Sequence, residues 1–208
     1  MTTYFDQSAA TWDNEPRRIA LMKGVGEAIL REARPTKGMD ILDYGCGTGL
    51  VSLFLLPHIR SVTGADNSPG MLEVLNQKIS DGRIANMRVM KLDLEHDSLP
   101  DERYHLIVTS MTMHHVSDTD KVVRAFHDLL HPGGSLCIAD LEKEPGVFHP
   151  PEAAESVHHH GFDRDGLKGL LAAAGFTDMK DVTAHTIYKP VESGAERAFP
   201  VFLITAIR

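Results

Sequence analysis

Met39-Asp40-Ile41-Leu42-Asp43-Tyr44-Gly45-Cys46-Gly47-Thr48-Gly49-Leu50 is the stretch that decides how this chain folds. Its first half is a short apolar run with the length of a buried strand. Its second half is a glycine-rich turn, and glycines let the backbone bend sharply and come close to a ligand. Leu50 to His58 then has helical character. Strand, glycine turn and helix together open an α/β fold with a parallel sheet. The turn also lacks two things. A dinucleotide fingerprint needs a third glycine at position 50, where this chain has Leu50. It has no Gly-Lys-Ser/Thr ending, so it is not a phosphate loop. The turn suits a ligand that needs close backbone contact but carries no pyrophosphate.

Downstream of this turn, apolar runs alternate with helical patterns. Val62 to Asp66 reads as a second strand. Ser68-Pro69 reads as a cap with proline at the first helical position, opening a helix to about Ser80. Met87 to Leu92 and Tyr104 to Ser110 are the third and fourth strands. Asp118 to Leu130 is a helix by the spacing of Val122, Val123, Phe126, Leu129 and Leu130. His131-Pro132-Gly133-Gly134 breaks it before a fifth strand, Ser135 to Asp140. A helix from Asp163 to about Ala174 ends at Gly175. Met179 to Tyr188 and Phe199 to Ile207 follow with no helix between them, so they should pair antiparallel at one end of the sheet. Upstream, Arg17 to about Arg34 is helical, with Ile19, Met22, Val25, Ile29 and Leu30 as its apolar stripe.

Three carboxylates fall at three successive strand ends. Asp43 stands in the turn, Asp66 ends the second strand and Asp93 follows the third. In an open α/β sheet, ligands bind outside the carboxyl ends of the strands. Asp66 there can accept both hydroxyls of a ribose. Asp93 can accept an adenine amino group, and the Leu94 N–H can donate to the ring. One elongated site for a nucleoside with a cationic tail fits this pattern.

Asp43 to Gly49, then Gly64-Ala65-Asp66-Asn67-Ser68-Pro69-Gly70-Met71-Leu72, then Asp93-Leu94, then Leu130-His131-Pro132-Gly133-Gly134 closely resemble the motif series of class I S-adenosylmethionine (SAM)-dependent methyltransferases. Order and spacing match over about residues 39 to 140. The resemblance implies a Rossmann-like three-layer α/β sandwich. Its seven-stranded, mostly parallel sheet has an antiparallel last strand. It implies SAM as cofactor, with Gly45 and Gly47 facing the methionine part, Asp66 the ribose, and Asp93 with Leu94 the adenine. Asn67 and Met71 would lie near the adenine ring. Tyr4-Phe5-Asp6 and Thr11-Trp12-Asp13 resemble the lid segment of small-molecule members. Tyr4, Trp12, Asp43, Cys46 and Ser110 thereby join the expected cofactor set.

The acceptor side is less determined. Ser110-Met111-Thr112-Met113-His114-His115-Val116 follows the fourth strand, which in this family ends beside the transferring methyl group. His114 or His115 is a candidate general base, since imidazole titrates near neutral pH; a helix-start histidine packed against the lid is the favoured competing reading. His158-His159-His160 lies in the irregular segment 142 to 162, where such methyltransferases build their acceptor pocket, and His159 is the pocket candidate. Three adjacent histidines cannot all face one metal from a regular element. A combination with His149 or His114 stays open, and the expectation is no metal.

Composition bounds the rest. At 208 residues the chain is read as one domain, with a helical lid over residues 1 to 36 and an acceptor-pocket insertion at 142 to 162. A net charge of −8 and no Lys/Arg run disfavour nucleic acid as partner. Cys46 and Cys137 do not make a disulfide framework. The N-terminus has no signal-peptide stretch, and no window approaches the roughly 18 apolar residues of a membrane span. The expected location is the cytoplasm. The expected reaction is in-line methyl transfer to a small molecule. A non-catalytic SAM-binding module and a methyltransferase acting on protein or RNA are the alternatives. The acceptor and the oligomeric state are not legible.

Overall fold

A computed structural model describes residues 4–190 and 196–208. Its seven strands form one sheet in the order β3-β2-β1-β4-β5-β7-β6. They are β1 (Asp40–Tyr44), β2 (Ser61–Asp66), β3 (Met87–Lys91), β4 (Tyr104–Ser110), β5 (Leu130–Leu141), β6 (Thr177–Pro190) and β7 (Glu196–Ile207). Pairing is parallel from β3 through β5, and β7 runs antiparallel between β5 and β6. The Rossmann-like sandwich with an antiparallel last strand is therefore the observed fold.

Alternation along β1 explains the three layers. Leu42 and Tyr44 point to one face, where Val122, Val123 and Phe126 of α5 (Thr119–Leu129) and Leu167 and Leu171 of α6 (Arg164–Ala173) cover them. Ile41 points to the other. There it meets Leu21 and Val25 of α2 (Pro16–Glu32), Val51 and Leu55 of α3 (Leu50–Leu55), and Leu75 of α4 (Pro69–Asp81). A strand buried on both faces reads as a continuous apolar run, as Ile41-Leu42 does.

The helix starts are chemically marked. Ser68 caps α4 by accepting from the Met71 N–H at 3.3 Å, and Pro69 opens the helix as expected. Asp118 caps α5 and Asp163 caps α6 in the same way.

Two expectations change. Ile19 is 47% exposed, and the buried stripe of α2 is Leu21, Val25, Ala28 and Ile29. Val25 and Ile29 are buried as expected, and Met22 and Leu30 pack partly buried against the same core, so the expected stripe holds except at Ile19, with Leu21 and Ala28 added. His131 to Gly134 does not precede β5 but lies inside it. Leu130 pairs with Tyr104 and Ser135 with Leu106, so the proline-glycine segment is accommodated as a bulge. Among the described residues, no helix is long and apolar enough to cross a membrane.

The chain runs outward from β1 to β3 and returns on the other side at β4. That reversal puts a crevice at the carboxyl ends of β1 and β4, where an α/β sheet binds ligands.

Candidate active site

The turn after β1 and the turn after β4 meet in this crevice. Gly45 has φ +72° and Gly47 φ +53°, conformations an L side chain adopts at a cost. The Thr112 hydroxyl donates to the Gly45 carbonyl at 3.3 Å, and a Cβ on residue 45 would overlap the Thr112 side chain. Met111 has φ +56°, uncommon for a residue with a long side chain. It is held there by its N–H donating to the Ala139 carbonyl at 2.8 Å.

Around this junction lies a cavity of about 280 Å³. Asp43, Asp66 and Asp93 all line it, so the fold brings the three strand-end carboxylates to one cavity. Gly45, Cys46, Gly47, Asn67, Met71, Ser110 and Trp12 line it as well. Asp66 is fixed by two backbone donors, Gly47 N–H at 2.8 Å and Ser68 N–H at 2.9 Å. Burial nevertheless raises its pKa. Asp93 turns its own loop, accepting from the Glu95 N–H at 3.0 Å. The Cys46 thiol is pushed well above its ordinary pKa by burial, so it is a protonated wall and not a nucleophile.

Asp43 is 2% exposed and accepts from the Ser52 hydroxyl at 2.5 Å. Burial lifts its pKa from 3.8 to about 7, against the pull of that hydrogen bond. A raised folded-state pKa means that the native protein binds more protons than the unfolded chain between those two values. Stability from this group is complete below 3.8 and is lost as pH rises to about 7. Asp43→Asn removes the titration and keeps an acceptor for Ser52. Its melting temperature relative to wild type, followed by calorimetry, should rise from acid pH to neutrality and then level off. A difference that is flat with pH would refute the assignment.

A second cavity of about 230 Å³ adjoins the first. Phe5, Trp12, Met22, Met111 and His115 line both. Tyr4, Phe148, His114 and His149 line the second alone, together with Arg17, Arg18 and Lys189. The Arg18 guanidinium lies 3.7 Å from the centre of the Trp12 ring. Lys189 sits 4.1 Å from the Phe148 ring centre, and burial lowers its pKa.

The segment of α1 (Tyr4–Ser8), the 3-10 turn Ala9–Asn14 and the start of α2 contributes walls to both cavities. Two aspartates pin it. Asp6 accepts from the Ser68 hydroxyl at 2.6 Å and the Gly70 N–H at 3.0 Å. Asp13 accepts from the Thr48 hydroxyl at 2.6 Å and pairs with Lys78.

The histidines sort differently from the sequence reading. His114 is 1% exposed and faces the second cavity, with Nδ1 2.6 Å from Asp140 Oδ1. His115 stands on the shared wall with Nδ1 2.5 Å from the Ser156 carbonyl. Burial first, and the neighbouring His114 second, push the His115 pKa down to about 4. The same causes push His149 down to about 3. Both rings are neutral at physiological pH.

Three expected contacts fall elsewhere. His159 lines neither cavity and packs on Phe162; its neighbour His158 lines the first. The backbone here is irregular, so the sequence does not say which of the three rings reaches the cavity. Tyr4 belongs to the second cavity, not the first. The Leu94 N–H donates to the Tyr44 hydroxyl at 3.2 Å and its side chain is buried in the core, so that donor is already taken. Sequence reasoning missed Met22, Thr112, Asp140 and the three cations. Asp140 carried a signal, since it too is a carboxylate at a strand end.

The chain matches the family described as a methyltransferase domain over residues 41–134. It is 35% identical to an uncharacterized methyltransferase of Schizosaccharomyces pombe, matching over 69% of this chain and 55% of that protein, so it spans about half of that relative's length. It is 31% identical to the ubiquinone/menaquinone biosynthesis C-methyltransferase UbiE of Shewanella sediminis, with 76% of each chain covered. The crystal structure of the YcgJ protein of Bacillus subtilis superposes with a TM-score of 0.73 at 16% identity, covering 88% of this chain and 97% of the other, which shows the shared fold. The chain belongs to the class I SAM-dependent methyltransferases, whose cofactor is SAM.

Proposed function

We propose that this protein transfers the methyl group of SAM to a small, largely apolar acceptor that carries an acidic or phenolic group. The observation that carries this reading is the pair of cavities with a common wall. SAM fits the first. Gly45 and Gly47 would hold its methionine end, Asp66 its ribose, and Asp93, Asn67 and Met71 its adenine. Buried carboxylates suit a cationic sulfonium and amino group. The shared wall of Phe5, Met111 and His115 would then stand between the transferable methyl group and an acceptor held in the second cavity.

The chemistry needs little from the protein beyond alignment. A lone pair of the acceptor forms a bond to the methyl carbon as the carbon–sulfur bond breaks. The electron pair stays on sulfur, giving S-adenosylhomocysteine, and the acceptor sheds its proton if it carries one. Holding both reactants in line supplies up to about 7–11 kcal/mol of barrier reduction. Aromatic lining supports an apolar acceptor body. Arg17, Arg18 and Lys189 against the single carboxylate of Glu15 support an acidic end. The UbiE relatives, named for quinone biosynthesis, support the same acceptor class.

Release of S-adenosylhomocysteine should be measured with apolar acceptors that differ only in an acidic or phenolic group. Acidic members are expected to turn over fastest. Lys189→Ala should raise their KM by about tenfold, the worth of one charge-assisted hydrogen bond, and leave neutral acceptors unchanged. No release above the acceptor-free rate would contradict the reading.

A further inference from the structure

The three histidines of the second cavity converge beyond what packing requires. His114 and His115 leave a single 3-10 turn (Met113–His115) after β4, and His149 arrives from the segment after β5. Ring centres lie 4.1 Å apart for His114 and His115, 4.9 Å for His114 and His149, and 5.3 Å for His115 and His149. One ring nitrogen from each falls within 4.8 Å of the others.

The hydrogen bonds decide which nitrogens are available. His114 Nδ1 is held by Asp140 at 2.6 Å and His115 Nδ1 by the Ser156 carbonyl at 2.5 Å. Each acceptor fixes the tautomer with the proton on Nδ1 and leaves an Nε2 lone pair. Metal-binding imidazoles are oriented in this way, by a carboxylate or backbone carbonyl on the far nitrogen. His114 Nε2 and His149 Nε2 lie 3.1 Å apart. Two nitrogens bound to a tetrahedral zinc at 2.0–2.1 Å stand about 3.3 Å apart, so the observed spacing is close to that of a ligand pair.

The setting of Asp140 points the same way. Asp140 is fully buried, and its other donors are the backbone N–H groups of Leu141 at 2.7 Å and His114 at 3.3 Å. Held by backbone donors on its other side, the Asp140 carboxylate is fixed in place and in turn fixes the orientation of the His114 ring.

We propose that His114, His115 and His149 bind one divalent transition-metal ion of the zinc class, with Asp140 as the positioning carboxylate behind His114. Three protein ligands and one open position are the pattern of a zinc site that takes up water or substrate. The three rings line the second cavity, so the open position takes an oxygen or sulfur of the acceptor; this role, unlike the metal site itself, rests on the acceptor reading above. The ion also ties the segment carrying His149 to the end of β4.

The test is cobalt(II) titration of chelator-stripped protein, read by visible absorption, with SAM affinity measured in parallel by calorimetry. Wild type should bind one equivalent with the intense d–d bands of a low-coordinate site, and zinc should displace it. His149→Gln and His115→Gln should weaken binding by at least about tenfold. Asp140→Asn should weaken it about 10–100-fold, the usual effect of losing a ligand's orienting partner. SAM affinity within about twofold of wild type certifies that His149→Gln and Asp140→Asn are folded, and a cooperative melting curve does so for His115→Gln, whose ring lines the first cavity. Absence of saturable cobalt binding by wild type overturns the proposal and leaves a hydrogen-bonded Asp140–His114–His149 relay. Binding that His149→Gln leaves unchanged overturns it too, since the metal then sits elsewhere. Failure of the acceptor reading shows as absent turnover with cobalt binding intact.

Discussion

Asp66→Ala should raise the dissociation constant for SAM by about tenfold to a hundredfold, the equivalent of the 1.5–3 kcal/mol attached to hydrogen bonds with a charged partner. Asp66 lines the first cavity and its carboxylate is locked by the N–H groups of Gly47 and Ser68. The locked geometry costs the ligand no ordering of the side chain, so the loss appears almost wholly in affinity. Stability should move little. Alanine leaves two backbone donors without their acceptor, but it also removes a carboxylate whose charged form burial disfavours. Asn should fall between, since its amide keeps one acceptor oxygen and turns the other into a donor. The checks are calorimetric titration with SAM and a melting curve of each variant. A wild-type affinity in Asp66→Ala would remove Asp66 from the cofactor site.

Gly45→Ala should be more damaging. Residue 45 has φ +72°, and an added Cβ would overlap the hydroxyl and methyl of Thr112 and stand 2.7 Å from its Cβ. The backbone strain costs about 1–3 kcal/mol and the overpacking a similar amount. Relief requires the turn after β1 to draw away from the turn after β4, which opens the crevice proposed to hold the methionine part of SAM. Loss of SAM affinity by a hundredfold or more is expected, with a melting temperature lowered by several degrees. Thr112→Gly in the same chain removes all three clashing atoms and should restore part of the affinity. The φ penalty remains, so recovery should be incomplete. Wild-type binding by the single variant would show that the two turns do not need to touch.

Much of the fold was legible because the signals are local. Ile41-Leu42 and Leu106-Ile107-Val108 read as strands buried on both faces, and Ser68-Pro69 marked a helix start that the structure places at Pro69. The first position of the α2 stripe was not legible. Ile19 and Leu21 are equally apolar, and only the approach of the sheet decides which is buried. The carboxylates Asp43, Asp66 and Asp93 were found because strand ends converge by topology. Leu94 was misplaced because Tyr44, fifty residues earlier, reaches its N–H across the sheet. The histidines show the same limit most clearly. His114 and His115 stood out as a pair, but their partners Asp140, Ser156 and His149 come from separate segments, and only the folded chain brings them together.

A crystal structure with S-adenosylhomocysteine is the most direct measurement. The account predicts the ribose on Asp66, the adenine beside Asp93, and the sulfur facing the wall of Phe5, Met111 and His115, with the second cavity left free. A sulfur turned away from that wall, or an adenosine lying in the cavity of Arg17 and Lys189, would contradict it.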